Sequence, residues 1–192
     1  MILLSDVPVP KDVDMVVLTS SLGQETIKEM IVAKDDDFFL VRSKRPWATY
    51  KILYYALKPR GAWCKVDILI PGTLNVPLVP TNLVVHINDM PLMPLFAVLL
   101  LKLQGWTDHR DSTQTDMRLK RYVDVNDIEK LLKIIVDKYP DQIVDRQRWV
   151  PESMIPAAQK RVDEFVLEKP GTKSGWLYIG FKVQSENRRR IM

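Results

Sequence analysis

In the first third of the chain, apolar residues occur in short runs that are rich in β-branched and aromatic side chains. Such runs are typical of β-strands, whereas apolar residues that recur every three or four positions are typical of helices. One segment has the helical spacing, with Ile27, Met30 and Ile31 on one side. The pattern therefore predicts a helix at residues 23–33 and strands at residues 13–18, 38–41, 49–57 and 63–70.

The rest of the chain is mostly helical in its spacing. A proline-rich segment at residues 71–82 predicts a surface loop, because proline lacks the backbone donor that regular structure needs. A short strand is predicted at residues 83–87. The helices predicted beyond it cover residues 94–106, a segment with Ile128, Leu131, Leu132 and Ile135 on one face, and residues 151–169.

Asp124 or Asn126 is predicted to cap the middle one of these helices, because short polar side chains accept hydrogen bonds from the first turn. The fold class predicted from the pattern is α+β, a mixed β-sheet with packed helices followed by a helical part. The predicted boundary between two domains lies near the last strand. It separates an α/β core at residues 1–90 from a helical region at residues 91–192.

Composition narrows the class of protein. The 192-residue chain has a net charge of +4, and Arg188, Arg189 and Arg190 supply much of it, so there is no strong nucleic-acid signal. The lone cysteine, Cys64, excludes an internal disulfide and fits a reducing compartment. No apolar run reaches the roughly 18 residues of a membrane span, and the N-terminus lacks the basic region of a signal peptide. The sequence predicts a cytoplasmic protein with no membrane partner.

The stretch KDVDMVV contains two carboxylates one residue apart, Asp12 and Asp14. In an extended strand they share a face, where like charges repel each other unless a cation lies between them. One interpretation is that both are solvent-exposed residues at the start of a strand. The other is half of a divalent-metal site, which needs a further carboxylate from another segment.

Asp67 is the candidate for that further carboxylate. It lies between Val66 and Ile68 in a predicted strand, where an acid is costly unless it is paired or bound to a cation. If this strand lies beside the strand of Asp12 and Asp14, the three oxygen ligands converge in the way that Mg²⁺ sites require. The alternative is that Asp67 pairs with Lys65, with Lys51 or with a neighbouring arginine.

Two further residues with chemical potential are interpreted as structural. His109 has no nucleophile near it in sequence and is expected to be a polar residue at a helix end. Cys64 lies on the apolar face of its predicted strand, and we expect it in the core rather than as a nucleophile.

The order of these motifs resembles the polymerase-beta-type nucleotidyltransferase superfamily, which has D-x-D on one strand and a third acid on a later strand. In detail it is similar to a fungal group of uncharacterised proteins with that fold. The matching stretches are KDVDMVV, ATYKILYY, CKVDILIPG, MPLMPLFAVLLLKLQGWTDHR and KRYVDVNDIEKLL. The resemblance implies that Asp12, Asp14 and Asp67 are the catalytic, Mg²⁺-binding acids.

The second half, LLLKLQGWTDHRD followed by DVNDIEKLL, is similar to the toxin-type nucleotidyltransferases of abortive-infection systems. This resemblance implies that Lys102 contacts nucleotide phosphates and that Asp124 and Asp127 close the far wall of the cleft. The alternative for Lys102 is a surface lysine whose aliphatic stem lies along an amphipathic helix.

The sequence departs from the superfamily at its start. Members carry a glycine turn and a helix upstream of D-x-D, whose backbone donors hold the triphosphate. The eleven residues before Asp12, MILLSDVPVPK, contain no glycine. We expect an N-terminally truncated or degenerate member, and the alternative is that another chain supplies the missing part.

Three interpretations of function follow. The first is a nucleotidyltransferase-like enzyme that uses Mg²⁺, in which an acceptor hydroxyl attacks the α-phosphate of an NTP. The second is a non-catalytic nucleotide- or protein-binding module of the same fold. The third is an interaction protein that uses exposed tryptophans and its basic tail. The acids favour the first and the missing glycine turn favours the second, so we expect weak NTP binding and slow or no transfer.

Overall fold

The computed structural model describes residues 11–57 and 61–183. The chain divides into two compact units, the first ending at Val76 and the second beginning at Pro77. The domain boundary predicted from the sequence lies later, after residue 90. In the structure the short strand predicted at residues 83–87 therefore belongs to the same unit as the helices. Within the described residues, no helix is long and apolar enough to cross a membrane.

The described part of the first unit contains four strands and one α-helix, as the hydrophobic pattern predicted. The helix lies within the predicted residues 23–33. However, Met30 is 53% exposed and does not join Ile27 in the core. The predicted KPRGA connection between the last two strands lies partly outside the described residues. The elements are β1 (Asp12–Val16), α1 (Gln24–Val32), β2 (Phe38–Arg42), β3 (Lys51–Leu57) and β4 (Ala62–Leu69).

The four strands form a mixed sheet in the order β1-β4-β3-β2. β2, β3 and β4 are antiparallel neighbours, whereas β1 pairs with β4 in parallel. A parallel pair needs a long connection, and here α1, β2 and β3 separate the two strands in sequence. β1 therefore lies at one edge of the sheet and β2 at the other.

One face of this sheet is covered by α1. Ile27 of the helix packs with Leu53, Val66 and Ile68 of the central strands, all of them buried. Because side chains alternate between the faces of a strand, the residues between these positions point to the opposite face. That opposite face carries the aspartate and lysine side chains of β1 and β4 and one aromatic side chain from each of β2, β3 and β4.

The second unit begins with a hairpin and continues with helices. Asn88 and Asp89 form the hairpin turn with φ angles of 48° and 62°, a left-handed conformation that Asn and Asp adopt more readily than most residues. The sequence predicted neither the second hairpin strand nor the last short helix. The elements are β5 (Val85–Ile87), β6 (Met90–Leu92), α2 (Leu95–Arg110), α3 (Thr115–Lys138), α4 (Met154–Glu168) and α5 (Lys173–Tyr178).

α3 corrects one sequence prediction. It runs without a break from Thr115, so Asp124 and Asn126 lie within the helix and neither is its cap. The first turns of α3 carry few apolar residues and are mostly exposed, which removes the periodic signal that marks a helix. The predicted apolar face of this helix is confirmed at Ile128, Leu132 and Ile135, which are all buried.

An aromatic cluster forms the centre of the second unit. Phe165 of α4 lies between Trp106 of α2 and Trp176 of α5, with ring centroids 5.0 and 6.1 Å away and near-perpendicular planes. All three side chains are fully buried. Edge-to-face packing of this kind adds to the free energy gained from burying the rings.

Replacing Phe165 with alanine should therefore lower the free energy of unfolding by about 3–5 kcal/mol, because it leaves a cavity between two tryptophans. The measurement is chemical denaturation followed by tryptophan fluorescence and circular dichroism. Leu167→Ala on the same helix is the control, because Leu167 is 69% exposed and its loss should change stability by less than about 0.5 kcal/mol. Equal effects of the two substitutions would contradict this placement of the core.

Candidate functional site

The parallel register brings two of the predicted site acids together. Asp14 of β1 is aligned with Asp67 of β4, and aligned residues of adjacent strands project to the same face. The strands of a sheet are about 4.8 Å apart, so the two side chains start from neighbouring backbone positions. Asp12 lies two residues earlier on the same face of β1. All three acids therefore share the face that α1 leaves open.

Lys65 lies in the middle of these acids. It is aligned with Asp12 across the strands, and its ammonium forms an ion pair with Asp67, two residues along β4. The Lys65 and Asp67 side chains are 38% and 40% exposed, so solvent screens the pair. The alternative raised by the sequence, that Asp67 pairs with a neighbouring lysine, is therefore confirmed for the structure as it stands.

In residues 11–57 and 61–183, no group of three or more histidine, cysteine, aspartate or glutamate side chains is arranged to hold a metal ion. The oxygen ligands of Asp14 and Asp67 suit a hard cation such as Mg²⁺, but Lys65 already supplies a positive charge to Asp67. The residues thus fit a divalent cation only if it displaces the Lys65 ammonium. The predicted three-acid site remains a prediction.

A cleft of about 730 Å³ opens beside Asp67 on the first unit. Its floor includes Ile52, Tyr54 and Asp67, and part of its wall is the loop between β2 and β3. Among the residues that the structure describes, six lysine and arginine side chains line this basic cleft, against a single carboxylate, that of Asp67. The six are Lys28, Arg42, Lys44, Arg45, Lys51 and Lys65.

Two of the lining lysines differ from the rest because they hold α1 against β3. Lys28 is buried and its ammonium donates to Glu25 Oε1 and to the carbonyl oxygen of Lys51, each at 2.6 Å. The Lys51 amide in turn donates to Glu25 Oε2 at 3.1 Å. This network satisfies a buried cation and fixes the start of β3 at the edge of the basic cleft.

The other predicted site residues belong to the second unit, and each has a partner there. Lys102 of α2 donates to Asp127 of α3 at 2.9 Å, with its side chain 42% exposed. Asp124 is buried and lies 2.5 Å from Nδ1 of His109 in the last turn of α2. The two contacts join α2 to α3. The predicted nucleotide contacts of Lys102, Asp124 and Asp127 remain predictions.

Cys64 occupies the buried face of β4, in agreement with its interpretation as a core residue. Burial raises the pKa of the Cys64 thiol, and the negative charge of Asp12 raises it further. A raised pKa keeps the thiol protonated at neutral pH, and a protonated thiol is a poor nucleophile.

Comparison of the chain with protein-family models, with curated proteins and with solved structures gives no significant match.

The sequence did not predict the basic cleft, because its cations come from α1, from β2, β3 and β4 and from the loop after β2, which no local pattern relates. The pairing of Asp67 with Lys65 was one of the alternatives that the sequence suggested, because residues at alternate positions of one strand share a face.

The network at Glu25 gives a dependence of stability on pH. Partial burial raises the pKa of the Glu25 carboxyl, but the hydrogen bonds and charges of Lys28 and Lys51 outweigh it and hold the pKa below its usual value. Glu25 therefore stabilises the fold above the pKa that it has in the unfolded chain, about 4.3, and this contribution is lost as the pH falls through the lower folded value.

Glu25→Gln should consequently lower stability by about 0.5–1 kcal/mol at pH 7 and flatten the loss of stability between pH 5 and pH 3. The measurement is urea denaturation at a series of pH values. Glu29→Gln, an exposed glutamate on the same helix, is the control and should keep the slope of the unmodified protein. The same acid slope in the Glu25→Gln variant would show that the network contributes nothing.

Proposed function

We propose that the first unit has a nucleotidyltransferase-like fold and binds a nucleoside triphosphate together with Mg²⁺. The observation that carries the proposal is the alignment of Asp14 with Asp67 at the margin of the basic cleft. Carboxylate oxygens and triphosphate oxygens are the ligands that Mg²⁺ usually has in proteins. An acid pair next to a group of cations suits a ligand that carries both a divalent cation and several phosphates.

In the proposed complex, Asp14 and Asp67 hold the cation, with Asp12 as a further ligand, and cations of the basic cleft contact the phosphates. The bound cation supplies charge neutralisation at the phosphates. The resemblance to the abortive-infection enzymes also implies nucleotide contacts for Lys102, Asp124 and Asp127 of the second unit, and these contacts stay predictions. The nucleotide base and the acceptor are left open by these contacts.

Transfer of the nucleotide is proposed to be slow or not to occur. The reaction is attack of an acceptor hydroxyl on the α-phosphate, which releases pyrophosphate. The ion pair between Lys65 and Asp67 supports low activity, because it must open before Asp67 can serve a cation. The same ion pair favours the second candidate, a non-catalytic module of this fold that binds nucleotides without transferring them.

Calorimetric titration of each NTP in the presence and absence of Mg²⁺ tests the binding. We expect Mg²⁺ to strengthen NTP binding and Asp67→Asn to weaken the Mg²⁺-dependent part by about tenfold or more, since loss of an outer partner alone costs that much at metal sites. Asp36→Asn, the same change at an exposed acid between α1 and β2, should leave binding unchanged. Affinity that is independent of Mg²⁺ and of Asp67 would refute the proposal. An assay with α-labelled NTP separates slow transfer from none.

Lys65→Met should tighten Mg²⁺ binding by up to about fivefold, because it removes the ammonium that competes for Asp67. Direct titration with Mg²⁺ is the measurement. The control is Lys133→Met, which removes the lysine of an exposed ion pair with Asp137 on α3. If Lys65→Met instead weakens Mg²⁺ binding, Lys65 does not compete with the cation and this part of the proposal fails.

A further inference from the structure

Three aromatic rings meet on the open face of the sheet in the first unit. They come from three successive strands: Phe39 of β2, Tyr54 of β3 and Trp63 of β4. Phe39 and Tyr54 are stacked with centroids 5.8 Å apart and planes at 20°, and Trp63 meets both edge-on, at 5.5 and 6.3 Å. Trp63 is nevertheless 60% exposed. This aromatic platform therefore presents ring surface to solvent.

The aromatic platform adjoins the basic cleft. Tyr54 belongs to both, and it is aligned with Lys65 on the neighbouring strand. The two sites are therefore continuous, and successive side chains on one face of a strand are about 6.7 Å apart. A ligand that occupies both sites must offer flat rings at one end and negative charge at the other.

Three cations at the end of β2 and in the loop after it are available for such a ligand. Arg42, Lys44 and Arg45 line the basic cleft, are exposed, and form no ion pair with any residue of the described ranges. Like charges gathered in a concave site repel one another, and an anion relieves that repulsion. Lys65, by contrast, is already neutralised by Asp67.

The strand order keeps these cations away from the acids of β1. β2 and β1 are the two edges of the sheet, with β3 and β4 between them. The three strand spacings between these edges amount to about 14 Å, more than the roughly 10 Å over which salt at 0.1 M screens a charge. An anionic ligand that follows β2 and β3 therefore avoids most of the repulsion from Asp12 and Asp14.

We propose that this face binds single-stranded nucleic acid, with bases on the aromatic platform and backbone phosphates in the basic cleft. Aromatic rings beside a positively charged groove are the combination that single strands use, because unpaired bases can stack on the rings. A duplex keeps its bases stacked inside and cannot use the platform. Inorganic polyphosphate has the charge without the rings. The proposal does not depend on Mg²⁺ or on nucleotide transfer.

Fluorescence anisotropy with a fluorescein-labelled 12-nucleotide RNA, in EDTA, tests it on the full chain. We expect the single strand to bind and a duplex of the same sequence to bind at least tenfold more weakly. Trp63→Ala should weaken single-strand binding by about 5- to 100-fold, whereas Trp63→Phe should retain most of it. Tyr178→Ala, at an aromatic residue of the second unit that is 50% exposed, is the control and should have no effect.

The salt dependence tests the phosphate contacts separately. The slope of log affinity against log salt is about −0.7 for each phosphate contact to a single strand. Replacing Arg42, Lys44 and Arg45 together with alanine should therefore make the slope about 2 less negative. The triple substitution of Lys130, Lys133 and Lys138, exposed lysines of α3, removes the same charge and should leave the slope nearly unchanged.

Three results would overturn the proposal. One is equal affinity for duplex and single strand. Another is insensitivity to Trp63→Ala, especially if inorganic polyphosphate displaces the RNA completely. The third is an equal loss of slope in both triple variants, which would mean that net charge alone attracts the RNA. Binding in EDTA keeps all three separate from a failure of the Mg²⁺–NTP proposal.

Discussion

The parallel pairing of β1 with β4 is the constraint on which the first unit depends. The antiparallel run from β2 to β4 would form a sheet by itself, but only β1 at its edge brings Asp14 beside Asp67. The burial of Val66 and Ile68 under α1 sets the direction of the acids, because alternation along β4 then sends Asp67 to the other face. Core packing and the position of the candidate site are consequences of the same register.

The two proposed ligands follow from how charge is distributed across the open face. Carboxylates are concentrated at the β1 edge, and cations that form no ion pair within residues 11–57 and 61–183 lie at the end of β2 and in the loop that follows it. Lys65 stands on the strand between these regions and neutralises Asp67. A divalent cation and an RNA backbone would therefore occupy different parts of one face. Removing the charge of Lys65 would change the local charge most at the β1 edge, where the carboxylates lie.

The sequence allowed the strands and the helix of the first unit to be predicted, because the strands are short runs rich in β-branched and aromatic residues and the helix has apolar residues every three or four positions. It also indicated that Asp12 and Asp14 share a face and that Asp67 is unusual in its strand. The strand order could not be predicted from the sequence, because the pairing of β1 with β4 depends on contacts between distant segments. The start of α3 was missed because its first turns bury little, and the grouping of Phe39, Tyr54 and Trp63 depends on registers that no local pattern encodes.

The most direct test of the account is the location of a bound divalent cation in the folded chain. Mn²⁺ broadens the NMR signals of nearby amides, so adding it in small amounts to the isotopically labelled protein maps the site residue by residue. We expect selective broadening around Asp14 and Asp67, reversed by excess Mg²⁺ and absent in the Asp67→Asn variant. Broadening that is centred elsewhere, or that persists in that variant, would contradict the claim that the aligned acids of β1 and β4 form a metal site.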